Sequence, residues 1–245
     1  NNSTFNADIS SWDTSAVTSM DSMFEECTLF NQDIGSWDVS NVVDMEYMFY
    51  DCRDFDQDLN SWDTSKVISM KQMFRGSTDY MSFNSNISSW NTGNVTDFEE
   101  MFKYCTDFNQ DLSAWNVSSG VTFEEMFGYT DAFNSDLTNW DLSSGVTLDG
   151  MFYKAYAFAG NCSNWTLNTT PGANVSLYYI FEWAELFNSD ISSWNTSQVT
   201  NMGYLMSDAS AFNQDLSGWN VGNVTNSVSF DSGATSWLPA NKPSF

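Results

Sequence analysis

Methionine and phenylalanine recur along this chain in short bursts at i, i+3, i+4 and i+7. Examples are Met20, Met23, Phe24 and Cys27; Met45, Met48, Phe49 and Cys52; and Phe123, Met126, Phe127 and Thr130. That spacing lays each burst along one face of a helix of about two turns. Several bursts open on a capping-box-like pair: Thr18 with Asp21, Thr96 with Glu99, Thr122 with Glu125. Ahead of each burst the period changes to two, with Trp37 and Val39 flanking Asp38, as a very short strand with one face inward requires. Phe30 and Ile34 fall in the connection before that strand.

This unit is written nine times, opening at Phe5, Phe30, Phe55, Phe83, Phe108, Phe133, Phe158, Phe187 and Phe212, with a tryptophan seven residues after each opening phenylalanine. Most steps are 25 residues, and the two longer ones carry insertions at Asp79-Tyr80-Met81 and around 168–172. So small a unit cannot bury its apolar face alone and must stack on its neighbours. The expected fold is therefore an α/β repeat, a leucine-rich-repeat-like solenoid forming one domain over 1–245. Each of about nine rungs would hold a short parallel strand and a short helix, with strands roughly 4.8 Å apart. The ninth copy decays, with Ser227 and Phe230 in methionine positions, so 227–245 reads as a C-terminal cap. At the other end Trp12 would be left with one face open.

Composition narrows the function. The chain has 245 residues, a net charge of −25, seven basic residues and no histidine. Nucleic acid and anionic membrane surfaces are poor partners for such a field, and no apolar run is long enough for a membrane helix. Histidine-based acid–base chemistry is ruled out, and no phosphate-cradling glycine loop, nucleophile elbow or zinc motif is present. Carboxylate pairs are abundant, but every pair is one of many equivalents, whereas catalysis needs one pair in a distinct pocket. A catalytic role is not expected.

Four features carry candidate chemistry. Cys27 and Cys52 hold equivalent positions one rung apart, which makes a disulfide between them geometrically plausible. Cys162 replaces an Ile or Leu and reads as a small buried hydrophobe. Asp33 and Asp58 share one repeat position and Asp38 and Asp63 another; stacked at rung spacing they could hold calcium, or each could accept backbone N–H groups in its own turn. Eleven N-x-S/T sequons occur, including those at Asn1 and Asn2, and Asn94, Asn168, Asn174 and Asn223 are glycan candidates in a secreted protein. Lastly, the seventh copy concentrates Tyr178, Tyr179 and Trp183 beside its Pro-Gly insertion. Those rings form either a binding spot or packing against the inserted loop.

The pattern F-N-x-D-[IL]-x-x-W-[DN]-x-S-x-V-T-x-M-x-x-M-F, seen at Phe30 to Val39 and Val42 to Phe49 and in their copies, resembles the repeat of BspA-like leucine-rich-repeat surface proteins. The resemblance covers nearly the whole chain. It implies a solenoid outside the cell or on its surface, working in adhesion or in interaction with protein or glycan ligands, and it brings no catalytic residues. Two functional expectations follow. One is a surface-displayed binding module. The other is a structural subunit associating head to tail into an extracellular filament, with a calcium-stabilised matrix protein as a variant.

Overall fold

The computed structural model describes residues 3–77 and 80–245. The sequons at Asn1 and Asn2, and Asp79 of the first insertion, lie outside the described residues. The nine copies stack as the repetition demands. The opening phenylalanines form an unbroken column from Phe5 to Phe212, with ring centroids 5.8 to 6.2 Å apart and nearly coplanar. A second column runs Phe24, Phe49, Phe74, Phe102, Phe127, Phe152, Phe181 at 5.4 to 5.8 Å. Within a rung the two columns touch, for example Phe152 on Phe158 at 3.9 Å. One continuous core from Ile9 to Trp237 results.

The tryptophans sew successive rungs together. The indole N–H of each repeat tryptophan from Trp37 to Trp219 donates to the backbone carbonyl of the Ile/Leu position one rung back, for example Trp37 to Ile9, Trp62 to Ile34, Trp140 to Leu112, and Trp194 to Cys162, at 3.0 to 3.2 Å. A buried indole N–H left unpaired would be costly, so this bond fixes the register of the stack. On the opposite edge, the side-chain carbonyl of one Asx accepts the amide N–H of the next: Asn6 from Asn31, Asn31 from Asp56, Asp56 from Asn84, and onward to Ala159.

The expected helices are absent. Among the described residues there is no α-helix, and the only helical element is a 3-10 turn at Pro239–Asn241. The segments 20–27, 45–52 and their copies are tandem β-turns. In the first, Met23 N–H bonds Met20 C=O, Glu25 bonds Ser22, and Cys27 bonds Phe24. The alternate amides Met20, Ser22, Phe24 and Glu26 donate instead to Asp44, Glu46, Met48 and Tyr50 of the next rung. Of the eight N–H groups in 20–27, three close turns, four bind the neighbour and that of Asp21 donates to Ser19 Oγ, which leaves the segment's donors satisfied. Type II geometry requires positive φ at the third residue of the turn. Ser22, Tyr47, Gln72, Glu100, Glu125, Gly150, Tyr179, Tyr204 and Ser229 all show it, at one repeat position.

The physical reason is spacing. Packed helices need about 8–10 Å between axes, whereas both phenylalanine columns advance by nearly the same 5 to 6 Å per rung. The stack does not fan out enough on either side to admit a helix. A two-turn helix is also marginal on its own, while the turn segment adds four inter-rung bonds. Burial still follows the sequence pattern: Met45, Met48, Phe49 and Cys52 face inward and are inaccessible.

Regular strand is scarce. β1 (Asp141–Leu142) pairs in parallel with β2 (Thr166–Leu167), and β3 (Val175–Ser176) with β4 (Val199–Asn201). β1 and β2 occupy the place expected for a strand after the tryptophan, but only in those two copies. The longer parallel ladder lies just ahead of the turn segments, as single bridges from Ser19 through Asp44, Ser69, Asp97, Thr122 and Thr147 to Ser176. Trp237 crosses Phe212 at 90° and donates to Gln214 C=O, which ends the phenylalanine column.

Candidate ligand-binding groove

In the turn segments the second, third, sixth and seventh residues lie mostly at the surface, although Asp51, Lys103 and Ser207 at these places are buried. In copies four to eight these places hold Tyr104, Tyr129, Tyr153, Tyr178, Tyr179 and Tyr204, which run together as a ridge. Tyr104 and Tyr129 stack at 4.4 Å. From there the geometry changes: Tyr129 meets Tyr153 at 87°, Tyr153 meets Tyr179 at 90°, Tyr178 meets Tyr179 at 88°, and Tyr178 meets Tyr204 at 83°. Glu125, Tyr153, Tyr178, Tyr179, Glu182 and Tyr204 line an open groove of about 480 Å³.

Two glycines make the perpendicular arrangement possible. At Gly150, where φ is +59°, an added Cβ would lie 2.1 Å from Cε2 of Tyr179. At Gly203 it would lie 3.0 Å from Cε2 of Tyr178. Tyr179 therefore leans back over the sixth rung, and its hydroxyl donates to Glu125 Oε1, two rungs away, at 3.0 Å. Tyr178 leans forward over the eighth. The two adjacent rings splay along the stack in opposite directions.

The groove is anionic at its edges. Lys103, buried, bridges Glu100 and Glu125 at 2.5 Å each, and Arg75 adds a 2.9 Å pair to Glu100. Burial pulls the Lys103 ammonium's pKa down, but the two carboxylates outweigh it and the net shift is upward. Partial burial raises Glu124, Asp149 and Glu182, with neighbouring carboxylates adding to it for Glu124 and Asp208 adding to it for Glu182. Burial, then the Glu125 charge, pushes the Tyr179 phenol well up, so it stays a hydrogen-bond donor. Lys154 lies over Tyr129 and Tyr153, 5.0 and 5.1 Å from the ring centres.

The other residues singled out in the sequence lie apart from this groove. Asp33, Asp38, Asp58 and Asp63 each accept the amide N–H two residues on, from Gly35, Ser40, Asn60 and Ser65 at 2.9 to 3.1 Å. The hydroxyls of Ser40 and Ser65, with those amides, hold Asp38 and Asp63 below the usual carboxylate range. Among the described residues no three or more His, Cys, Asp or Glu side chains gather where a metal could be held. No disulfide joins Cys27 to Cys52; both are buried thiols, and Cys52 Sγ donates to Phe24 C=O at 2.8 Å. Cys162 is fully buried in its Ile/Leu position.

Of the glycan candidates, Asn168 is only 9% exposed and its Oδ1 accepts the Thr170 amide. Asn94 and Asn223 are exposed but donate their side-chain amides to Ser65 and Ser197 C=O at 2.7 Å. Asn174 is exposed, with a positive φ. Further depressions among the described residues include one of about 390 Å³ beside Trp165, Leu167 and Thr169, and two more. One of about 510 Å³ follows the Asx edge at Asn109, Asp111, Asn134 and Asp136, whose oxygens already serve backbone amides. The other, about 300 Å³, lies on the first rung beside Phe5, Met23 and Trp12, the last 52% exposed.

Sequence reasoning reached Tyr178 and Tyr179 but missed Glu125, Tyr153, Glu182 and Tyr204; Trp183, singled out with the two tyrosines, is 37% exposed and does not line the groove. The signal was available in the repeat frame: Tyr179 and Tyr204 share one outward position, and Tyr153 and Glu182 another.

Stacked turns, parallel bridges and aromatic columns define the molecule as a turn-built solenoid of the repeat-protein class. The chain belongs to the family described as "Mycoplasma protein of unknown function, DUF285", whose pattern matches residues 1–82, 77–176 and 173–241. No curated protein and no solved structure matches it.

Proposed function

We propose that this protein is a non-enzymatic binding scaffold of the BspA-like kind, displayed outside the cell and working in adhesion through the tyrosine ridge. The observation that carries the reading is the change in ring geometry. Successive rings of the phenylalanine columns are nearly parallel, 4° for Phe152–Phe181 and 5° for Phe158–Phe187. The outward tyrosines instead stand perpendicular around an open groove. The ridge tyrosines are half-buried, and solvent-accessible aromatic clusters of this kind mark interaction surfaces.

The filament reading has less support, because end-to-end stacking needs the phenylalanine column to run on past Phe212, where Trp237 stands across it. The test is a bead assay. Beads coated with the protein should adhere to a cell layer, and the double variant Tyr178→Leu/Tyr204→Leu should remove most of that adhesion at unchanged melting midpoint. Adhesion that is absent, or indifferent to both tyrosines, overturns the proposal.

A further inference from the structure

The chemistry of the groove points to one ligand class. We infer that it receives the cationic side chain of a partner polypeptide, a lysine ammonium or an arginine guanidinium. This assignment rests on the binding-scaffold reading above.

Three observations support it. First, rings set at right angles, as Tyr153/Tyr179 and Tyr178/Tyr179 are, form corners rather than a platform. A corner of π-faces surrounds a compact cation, whereas a sugar ring lies on one broad flat face. Second, the ridge already performs this recognition internally. Lys154 sits over Tyr129 and Tyr153, and Arg75 lies 5.2 Å from the Tyr50 ring centre on the same outer surface. Third, charge complementarity favours a basic partner. Glu182 lines the groove with Asp208 near it, Glu125 beside them is already paired with Lys103, and the whole chain carries −25. A field of that sign draws basic segments toward the surface.

Long-range attraction alone would bind any basic peptide anywhere on the molecule, so the test must separate the corner from the field. The probes are hexa-arginine and hexa-lysine peptides, with cellohexaose as a neutral sugar, titrated calorimetrically into the intact chain at physiological salt. Tyr178→Leu/Tyr204→Leu keeps the net charge and should weaken both cationic probes roughly tenfold, the scale of one or two desolvated cation–π contacts. Asp190→Asn removes one charge away from the groove, at a position where other copies already carry asparagine, and should leave both affinities within about twofold.

Equal affinities for wild type and the double variant would show plain charge attraction and overturn the inference. So would the absence of cation binding, or a cellohexaose affinity that depends on the tyrosines while the peptides' affinities do not. The two proposals fail separately. Bead adhesion that depends on the tyrosines without peptide binding leaves the scaffold reading standing. Peptide binding at the corner without adhesion does the reverse.

Discussion

The inner columns and the outer ridge use the same residue class for opposite ends. Inside, Phe127, Phe152 and Phe181 repeat with the rung, nearly parallel at 5.6 Å, and each is enclosed by its copies above and below. Outside, Tyr153, Tyr178, Tyr179 and Tyr204 come from three different turn positions and meet near 90°. Repetition gives every inner ring the same environment and therefore the same orientation. Irregularity gives the outer rings room to turn. The glycines at 150 and 203 are such irregularities, each leaving a gap one side chain wide for a neighbouring ring.

The contrast can be broken most severely from the inside. Phe152→Ala removes a ring packed on Phe127, Phe158 and Phe181 and should cost about 3–5 kcal/mol, read from urea denaturation. The groove should deform only as far as its rungs loosen. A cost below about 1 kcal/mol would mean that the columns do not carry the stack.

A smaller break comes at the boundary of the two regions. Gly150→Ala places a Cβ inside the Tyr179 ring's space and puts a side chain at φ +59°. It should cost about 1–2 kcal/mol for the backbone alone. It should also release the Tyr179–Glu125 hydrogen bond, visible as a change in tyrosine difference absorbance. Gly218, which has open space around it and no positive φ, is the control: Gly218→Ala should be nearly silent.

The outer edge offers a repair. Ala159 accepts the support of Asn134 but has no oxygen to offer the Asn188 amide, so the Asx ladder breaks at that rung. Ala159→Asn should restore one bond and stabilise by about 0.5–1.5 kcal/mol, measured as a higher melting midpoint. No gain would mean that the seventh rung's insertion has moved its edge out of register.

The gentlest probe is pH, and the two kinds of carboxylate move stability in opposite directions. Asp97, Glu124, Asp149 and Glu182 are raised in the folded chain, chiefly by burial, from ordinary values of 3.8 or 4.5. Between the unfolded and folded values the folded state holds more protons, so stability increases as pH falls through that window. Asp8, Asp13, Asp38, Asp63, Asp111, Asp190 and Asp215 are lowered from 3.8 by their turn hydroxyls and amides. Their contribution is lost as pH falls below that value. The melting midpoint should therefore rise modestly as pH falls toward the ordinary carboxylate values of 3.8 and 4.5 and drop once pH falls below 3.8. A midpoint that falls steadily from pH 7 contradicts the burial of the raised group.

Much of this molecule was legible in the bare sequence. The opening phenylalanines, the tryptophans and the i, i+3, i+4, i+7 bursts named the inward faces correctly, because burial depends on spacing alone. The backbone that delivers that spacing was not legible. Tandem type II turns and an α-helix hide the same four positions, and the residue that would betray a turn is glycine or asparagine where φ is positive. Here those sites carry Ser22, Tyr47, Gln72, Glu100 and Tyr204, which announce nothing. The inter-rung bonds stabilise the conformation in place of turn propensity. The groove was half legible for a related reason. Tyr178 and Tyr179 stand together in sequence, whereas Glu125 reaches them from 54 positions away.

The left-handed sites have one more consequence. Where these side chains leave the scaffold without a buried partner, as at Ser22, Gln72 and Tyr204, a mutation changes what the surface says and leaves the frame that holds it intact. Such a protein can trade one set of contacts for another, two letters per rung, and still stack as before.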